Sequence, residues 1–347
     1  MSIITIIGAG MMGSAMSFPA RDNGHEVRLV GIHNRENIEE IKKSLYHPTL
    51  KRTLPEGVKA YHLEDLDKAL EGADLVIGGV SSFGVDWFEE NILPILPPEM
   101  PVLSVTKGLE KTPDGDLVPF PTAMTRRAEA KGLKVNLNAV GGPVTSYELA
   151  DRQQTCICFC GKDVKTLRWL RSLLETDYYH ISLTTDVTGL ECAVAMKNAY
   201  ALGVSLAVGK NNLQYGPDGM QHYNPQAALF EQGTKEATRL MQMMGADMRN
   251  LMFFTGDLYV TIFGGRTRMI GTLLGEGKPY PEAREILAGI TLESVAITTR
   301  VAEAIRQQEK KGLASTEDFP LLMLIDDLIS NNGKADIPWN KFPQEIF

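Results

Sequence analysis

The string Gly8-Ala9-Gly10-Met11-Met12-Gly13 follows the apolar, β-branched run 3–7 and opens onto a helical pattern. Between a strand and a helix, G-x-G-x-x-G suits a dinucleotide pyrophosphate. Gly8 permits the tight turn, Gly10 lets the backbone approach the phosphates, and Gly13 allows the helix to pack on the strand. The helix start adds unbonded amides and the positive end of its dipole. Met11 and Met12 fill the variable positions of the turn. After the second strand such a site usually carries a carboxylate for the adenosine ribose, but this chain reads Gly31-Ile32-His33-Asn34-Arg35. Arg35, aided by His33, would attract a 2′-phosphate, so the sequence favours NADP over NAD. A tight turn without a ligand and an exposed loop arginine are the plain alternatives.

Two lysines are placed for chemistry. Lys107 directly follows the apolar run 102–105, and the ends of parallel strands are where an open sheet collects its ligands. Val80-Ser81-Ser82-Phe83 and Gly141-Gly142-Pro143 belong at the same edge. An ammonium there lends positive potential to a carbonyl or phosphate oxygen, although most lysines are merely solvated. Lys197-Asn198 lies within a run otherwise rich in Ala, Val, Leu and Met. Burial favours the neutral amine, which suits a group that exchanges a proton with a carbonyl or an alcohol. A lysine snorkelling to solvent is the competing reading. Asp257, with Thr261 four residues on, offers a carboxylate to hold such a lysine. Gly264-Gly265-Arg266-Thr267-Arg268 sets two guanidinium groups beside glycine amides, a composition suited to a phosphate or to a flexible basic loop.

The elements that must position these groups follow from hydrophobic period. Strands are expected at 3–7, 26–30, 75–80, 102–105, 135–140, 155–159 and 179–183. Helices are expected at 12–22, 38–45, 63–70, 85–92, 122–131 and 164–175. This alternation predicts an α/β, Rossmann-type, doubly wound and mainly parallel sheet. After Thr184-Thr185-Asp186 the β-runs stop, and helices are expected at 187–208, 225–244, 281–288 and 292–311, with Thr185 or Asp186 as N-cap. The division is therefore a dinucleotide-binding α/β domain at 1–184 and an all-helical C-terminal domain at 185–347, the latter carrying substrate and catalysis. The polar, proline-broken tail from 331 reads as a surface extension.

Composition bounds the class. The 347 residues are 44% hydrophobic and 22% charged, which excludes a disordered or fibrous chain, and the net charge of −8 argues against a nucleic-acid surface. Four cysteines are too few for a disulfide framework. Cys156, Cys158 and Cys160 in one strand would space their sulfurs about 7 Å apart along one face, poorly placed for a metal. The six histidines are scattered, so no metal is expected. No apolar run reaches the roughly 18 residues of a membrane span, and no leader is evident. A cytoplasmic protein is expected. The Met-rich stretch 240–244 is core or an interface seam, and a homodimer is the expected assembly.

Taken together, the motifs resemble those of NAD(P)-dependent glycerol-3-phosphate dehydrogenase, in order across nearly the whole chain. They are GAGMMG at 8–13, SVTKG at 104–108, GGP at 141–143, AMKN at 195–198 and GDLYVTIFGGRTR at 256–268. The resemblance implies interconversion of dihydroxyacetone phosphate and glycerol 3-phosphate, with NAD or NADP as cofactor and no metal. It makes Lys197 the proton donor or acceptor and Lys107 a contact to substrate and cofactor, with Asp257 and Thr261 arranging Lys197 and the substrate. Arg266 would reach cofactor and substrate phosphate. Gly142, Asn198, Gly265 and Thr267 would line the substrate. Gly8, Gly10, Met11, Met12, Gly13, His33, Arg35, Ser81, Phe83, Ser146 and Glu293 would meet the cofactor. Two departures bear on the substrate: Thr267 stands where the family usually has Asn, and Val144 where many members have Ser or Asn. Another polyol phosphate therefore stays open. So do a ketopantoate or β-hydroxyacid type reductase and a non-catalytic dinucleotide sensor. The late loop at Glu293 also lacks the family's usual Glu-Gly.

Overall fold

The computed structural model describes residues 1–343, which form two compact units: Met1–Lys107 with Pro119–Glu191, and Gly108–Val118 with the described chain from Cys192 onward. The expected division at 184/185 thus misses one exchange. Residues 108–118 fold with the later part of the chain, because Leu109 and Leu117 pack on its core. The segment is also tied to a late helix through Arg300 Nη1 on the Leu109 carbonyl at 2.7 Å and Lys111 on Glu303 at 2.6 Å.

The described residues include twelve strands: β1 (Ile3–Ile7), β2 (Glu26–Gly31), β3 (Tyr46–His47), β4 (Arg52–Thr53), β5 (Val58–His62), β6 (Leu75–Gly78), β7 (Pro101–Ser104), β8 (Leu109–Lys111), β9 (Leu117–Pro119), β10 (Asn136–Gly141), β11 (Thr155–Cys160) and β12 (Tyr179–Thr184). Eight build one sheet in the order β12-β11-β10-β7-β6-β1-β2-β5, while β3–β4 and β8–β9 form separate pairs. Every pairing in the large sheet is parallel except β10 with β11. β1 sits between β2 and β6, so the chain winds outward on one side of β1 and then crosses to the other. Such a reversal opens a crevice beyond the carboxyl ends of these strands.

Helices α1 (Met11–Ala15), α2 (Ser17–Asp22), α3 (Arg35–Ser44), α4 (Leu66–Leu70), α5 (Val85–Asn91), α6 (Phe120–Ala130), α7 (Ser146–Ala150) and α8 (Val164–Leu174) belong to this unit. Ile4, Ile6, Leu29 and Ile77 contribute to one apolar cluster, and Ile7, Val76 and Val102 to a second that includes Phe88 and Phe120. Strands with two buried faces have no polar alternation to show. The single helix expected at 12–22 is instead α1 and α2, broken at Met16. Pro19 has no N–H for the Ala15 carbonyl, and its ring crowds that carbonyl.

The second unit is built from α9 (Val187–Tyr215) from Cys192 onward, α10 (Tyr223–Met243), α11 (Leu251–Ile262), α12 (Gly265–Gly275), α13 (Tyr280–Ile286), α14 (Glu293–Lys310) and α15 (Pro320–Ser330). Asp186 accepts the Gly189 N–H at 2.8 Å, the capping expected of it. α9 corrects the expectation of no spanning run: it is long and apolar enough by composition, and 89% of its 18-residue window is buried inside the protein. A core helix passes the same test as a membrane span. α12 lies directly on α9, for a Cβ on Gly271 would come within 2.5 Å of the Leu202 carbonyl oxygen and one on Gly275 within 2.3 Å of that of Leu206. In the Met-rich stretch Leu240 and Met241 are buried, and Met243 and Met244 pack against them in the same core. The tail is no loose extension, since Ala335, Ile337 and Phe342 are buried in this core.

Candidate functional site

The loops following β1, β2 and β6 enclose a cleft of about 480 Å³ in the first unit. Gly8, Ala9 and Gly10 line it from the first loop, Gly31 to Asn34 from the second, and Gly79 to Ser81 with Phe83 and Gly84 from the third. Asn37, Thr49 and Trp87 complete the lining. The glycine turn is shaped by close approach. Gly8 has φ +112°, and a Cβ on it would stand 2.6 Å from the Gly79 carbonyl. A Cβ on Gly13 would stand 2.2 Å from the Gly8 carbonyl oxygen, whereas one on Gly10 would meet nothing closer than 3.8 Å. Gly8 and Gly13 are therefore required by protein packing. Gly10 keeps open a space that the protein does not fill, a cradle of the kind a pyrophosphate needs. Met11 is exposed and Met12 half-buried at the start of α1.

Beyond β2, His33 and Asn34 are exposed in the cleft wall, and Asn34 caps α3 by accepting the Asn37 N–H at 3.0 Å. Arg35 lies outside the lining residues, and its guanidinium bonds the Glu64 carboxylate; the two side chains are 67% and 66% exposed. Such a pair in water is weakly held and exchanges readily for a stronger anion. Phe83 is 65% exposed, an aromatic face turned to solvent at the cleft. Ser146 is buried at the first turn of α7 and is not among the lining residues.

Lys107 is the last residue of the first unit before the chain passes into the second. Its Nζ donates to the Gly142 carbonyl at 3.1 Å, and Gly142 holds φ +118°, so the Gly-Gly-Pro turn presents that oxygen. The neighbouring Thr106 hydroxyl donates to the Val80 carbonyl at 2.5 Å, joining the β6 and β7 ends.

In the second unit, α9 and α11 bring Lys197 and Asp257 together. Nζ lies 2.6 Å from Oδ1, the lysine side chain is 14% exposed and the aspartate fully buried. The ammonium is thus held by a carboxylate, and a small part of the lysine side chain is open to solvent. Asn198 beside it is half-buried. Thr261 is on the same helix face one turn after Asp257, but its hydroxyl donates to the Asp257 carbonyl at 2.6 Å.

The glycine-rich segment is not a flexible loop. Gly265, at φ +77°, begins α12, and Arg266 is exposed in its first turn while Thr267 is buried. Arg268 donates to the Ile262 carbonyl at 2.6 Å and closes the end of α11. Its guanidinium is committed to the fold, and Arg266 is left as the exposed cation of the pair. Glu293 is the first residue of α14, where a carboxylate also favours the helix dipole. Val144 is buried, like Thr267, so both departures from the family pattern sit within packed surroundings.

Asn37, Thr49, Gly79 and Trp87 were not read from the sequence as cleft residues. Gly79 could have been, because a second glycine at the end of an apolar strand signals a close backbone approach. The others come from segments with no motif. Cys158 and Cys160 are buried in β11 while Cys156 is exposed, and burial pushes the Cys158 thiol up to about 12. No group of three or more His, Cys, Asp or Glu side chains is placed to hold a metal among the described residues.

A family model described as NAD-dependent glycerol-3-phosphate dehydrogenase N-terminus matches residues 3–167, and the corresponding C-terminus model matches 186–338. The NADP(+)-dependent glycerol-3-phosphate dehydrogenase of Archaeoglobus fulgidus is 33% identical over 288 residues, 82% of this chain and 83% of that one. The NAD(P)+ glycerol-3-phosphate dehydrogenase of Streptococcus sanguinis is 29% identical over 356 residues, 98% of each chain. The crystal structure of glycerol-3-phosphate dehydrogenase from Coxiella burnetii matches the fold with a TM-score of 0.81 at 22% identity, covering 98% of both chains. With its two halves matched in order by the two models of one family, and its sheet and helices arranged as in that fold, the chain belongs to the NAD(P)-dependent glycerol-3-phosphate dehydrogenase family.

Proposed function

We propose that the protein is an NAD(P)-dependent oxidoreductase that interconverts dihydroxyacetone phosphate and glycerol 3-phosphate, with Lys197 as acid and base. The bound nicotinamide supplies or accepts the hydride. The chain supplies the rest. The glycine turn, with Gly10 leaving room for the pyrophosphate, holds the dinucleotide. Lys197 gives its proton to the carbonyl oxygen as the ketone is reduced and takes it back from the alcohol in the reverse direction. Asp257 orients the ammonium. Lys107 and Arg266 add positive charge for the substrate phosphate and the oxygen that becomes an alkoxide. Asn198, Gly142, Gly265 and Thr267 border the substrate, and Ser81, Phe83, Ser146 and Glu293 contact the cofactor. The observation that carries the reading is the Lys197–Asp257 pair, an almost buried lysine whose ammonium is aimed by a wholly buried carboxylate.

NADP is the preferred cofactor on this reading, because no carboxylate stands at residues 32–35 just beyond β2 and the Arg35 guanidinium is held by an exposed pairing that a 2′-phosphate displaces. A cytoplasmic homodimer is the form proposed for the enzyme, in keeping with four cysteines that form no disulfide. Oxidation of NADPH and NADH followed with dihydroxyacetone phosphate, ketopantoate and unphosphorylated ketones tests the reading. Turnover is expected with dihydroxyacetone phosphate and NADPH. Turnover of ketopantoate alone, or tight dinucleotide binding with no turnover of any polyol phosphate, would overturn it.

A further inference from the structure

His47 carries no motif, yet it is fully buried at the start of a small hairpin beside the glycine turn. Its Nε2 lies 3.1 Å from the Ala9 carbonyl oxygen, and its Nδ1 lies 3.1 Å from the Leu50 backbone nitrogen. A donor facing Nδ1 and an acceptor facing Nε2 assign the tautomer: the proton is on Nε2, and the neutral ring satisfies both backbone groups. Burial pulls the pKa of His47 below its ordinary value, in keeping with that neutral ring.

The bond to Ala9 has a geometric consequence. A trans peptide is planar, with its carbonyl and N–H pointing in opposite directions. Fixing the Ala9 carbonyl therefore fixes the direction of the Gly10 N–H, the donor at the open cradle of the turn. The hairpin is itself well anchored, with the Lys51 N–H on the His47 carbonyl at 2.7 Å, the Leu54 N–H on the Leu45 carbonyl at 2.8 Å, and Leu50 and Leu54 buried. At its tip, Asn37 Nδ2 of α3 donates to Thr49 Oγ1 at 3.0 Å. Thr49 and Asn37 line the same cleft as Ala9, Gly10, His33 and Asn34, on the side beyond β2 where a dinucleotide places its ribose.

We propose that His47 is a positioning residue for dinucleotide binding, orienting the Ala9–Gly10 peptide while the hairpin it anchors forms the ribose-side wall of the cleft through Thr49. The proposal rests on the assignment of this cleft to NAD(P). The test uses quenching of Trp87 fluorescence by NADPH for binding, together with steady-state KM values, in wild type, His47→Phe and His47→Gln. His47→Phe is expected to raise the NADPH Kd and KM about 10- to 100-fold, the range for losing such backbone hydrogen bonds. The KM for dihydroxyacetone phosphate at saturating NADPH is expected to stay within about two-fold, and His47→Gln, which keeps a donor, to recover part of the loss. An unchanged NADPH Kd in His47→Phe, or an equal rise in both KM values, overturns the proposal. If His47→Phe fails to fold, Thr49→Val decides. A several-fold weaker NADPH Kd supports the wall, and an unchanged one overturns it. Wild-type protein that binds neither dinucleotide would instead bring down the cofactor assignment itself.

Discussion

Lys197 on α9 and Asp257 on α11 stand sixty residues apart in the chain and meet at 2.6 Å, with the carboxylate wholly buried. A buried carboxylate is costly unless a cation and further hydrogen bonds compensate it, so the pair joins the two helices as well as aiming the amine. Replacing Lys197 by Ala is expected to lower kcat by about 10²- to 10⁴-fold, the usual worth of a general acid or base, while the NADPH Kd measured through Trp87 stays unchanged. Asp257→Asn, which keeps the shape and removes the charge, is expected to lower kcat without altering that Kd. Wild-type turnover in Lys197→Ala would remove the assignment.

The pairing of Arg35 with Glu64 is set against solvent on both sides. Arg35→Ala is expected to raise the KM for NADPH about 10-fold or more, in line with one lost charged hydrogen bond, and to leave that for NADH nearly constant. Glu64→Gln releases Arg35 and is expected to lower the KM for NADPH. A wild-type preference for NADH would contradict the role given to Arg35.

Glu236 on α10 is buried and accepts the Leu321 and Leu322 N–H groups at 2.7 and 2.9 Å, capping α15 from another helix. Burial pushes its pKa up to about 7, against the opposing pull of Gln232 and these two amides. The native state then binds more protons than the unfolded one between the ordinary carboxyl pKa and about 7. The resulting stability is fully present below the unfolded value and is lost as pH rises through the folded one. Relative to Glu236→Gln, wild type is expected to lose up to about 3 kcal/mol between pH 5 and pH 8 in denaturant titrations. A constant difference between the two proteins across that range would show that the carboxyl does not titrate there.

Gly271 and Gly275 let α12 rest on the backbone of α9. Gly275→Ala is expected to cost about 1–3 kcal/mol, because the added methyl must push a helix backbone rather than a pliable side chain. Gly277, just beyond α12, has nothing within 4 Å of a built Cβ but holds φ +83°. Gly277→Asn, which tolerates that conformation, is expected to cost much less. Equal urea midpoints for the two variants would show that α12 yields without cost.

Local chemistry made the first unit legible. Strands β1, β2, β6, β7, β10, β11 and β12 lie within two residues of their expected ends, because each is a short, largely apolar stretch flanked by polar or turn residues. Gly8, Gly10 and Gly13 were readable because their roles lie within one turn. Lys107, Lys197 and Asp257 were named from their residue types and surroundings, but no spacing could show that the last two touch. Helices α7, α11, α12 and α15 and strands β3, β4, β5, β8 and β9 were not expected. α11 is apolar on most faces and lacks a clean period, and α12 opens on two glycines that read locally as a loop.

What the amino-acid order determined by itself was the alternation of the seven expected strands of the large sheet with helices, the helical character of the later chain, the glycine turn after β1, the lack of an acid at residues 32–35 and the charges available for catalysis, all of them properties of neighbouring residues. Tertiary structure alone decided that His47 would hold the Ala9 carbonyl, that Glu64 would engage Arg35, that Asp257 would meet Lys197, and that residues 108–118 would join the later core. These depend on burial and distance between remote segments, where one hydrogen bond is kept or lost by how whole elements pack, and no local pattern encodes that.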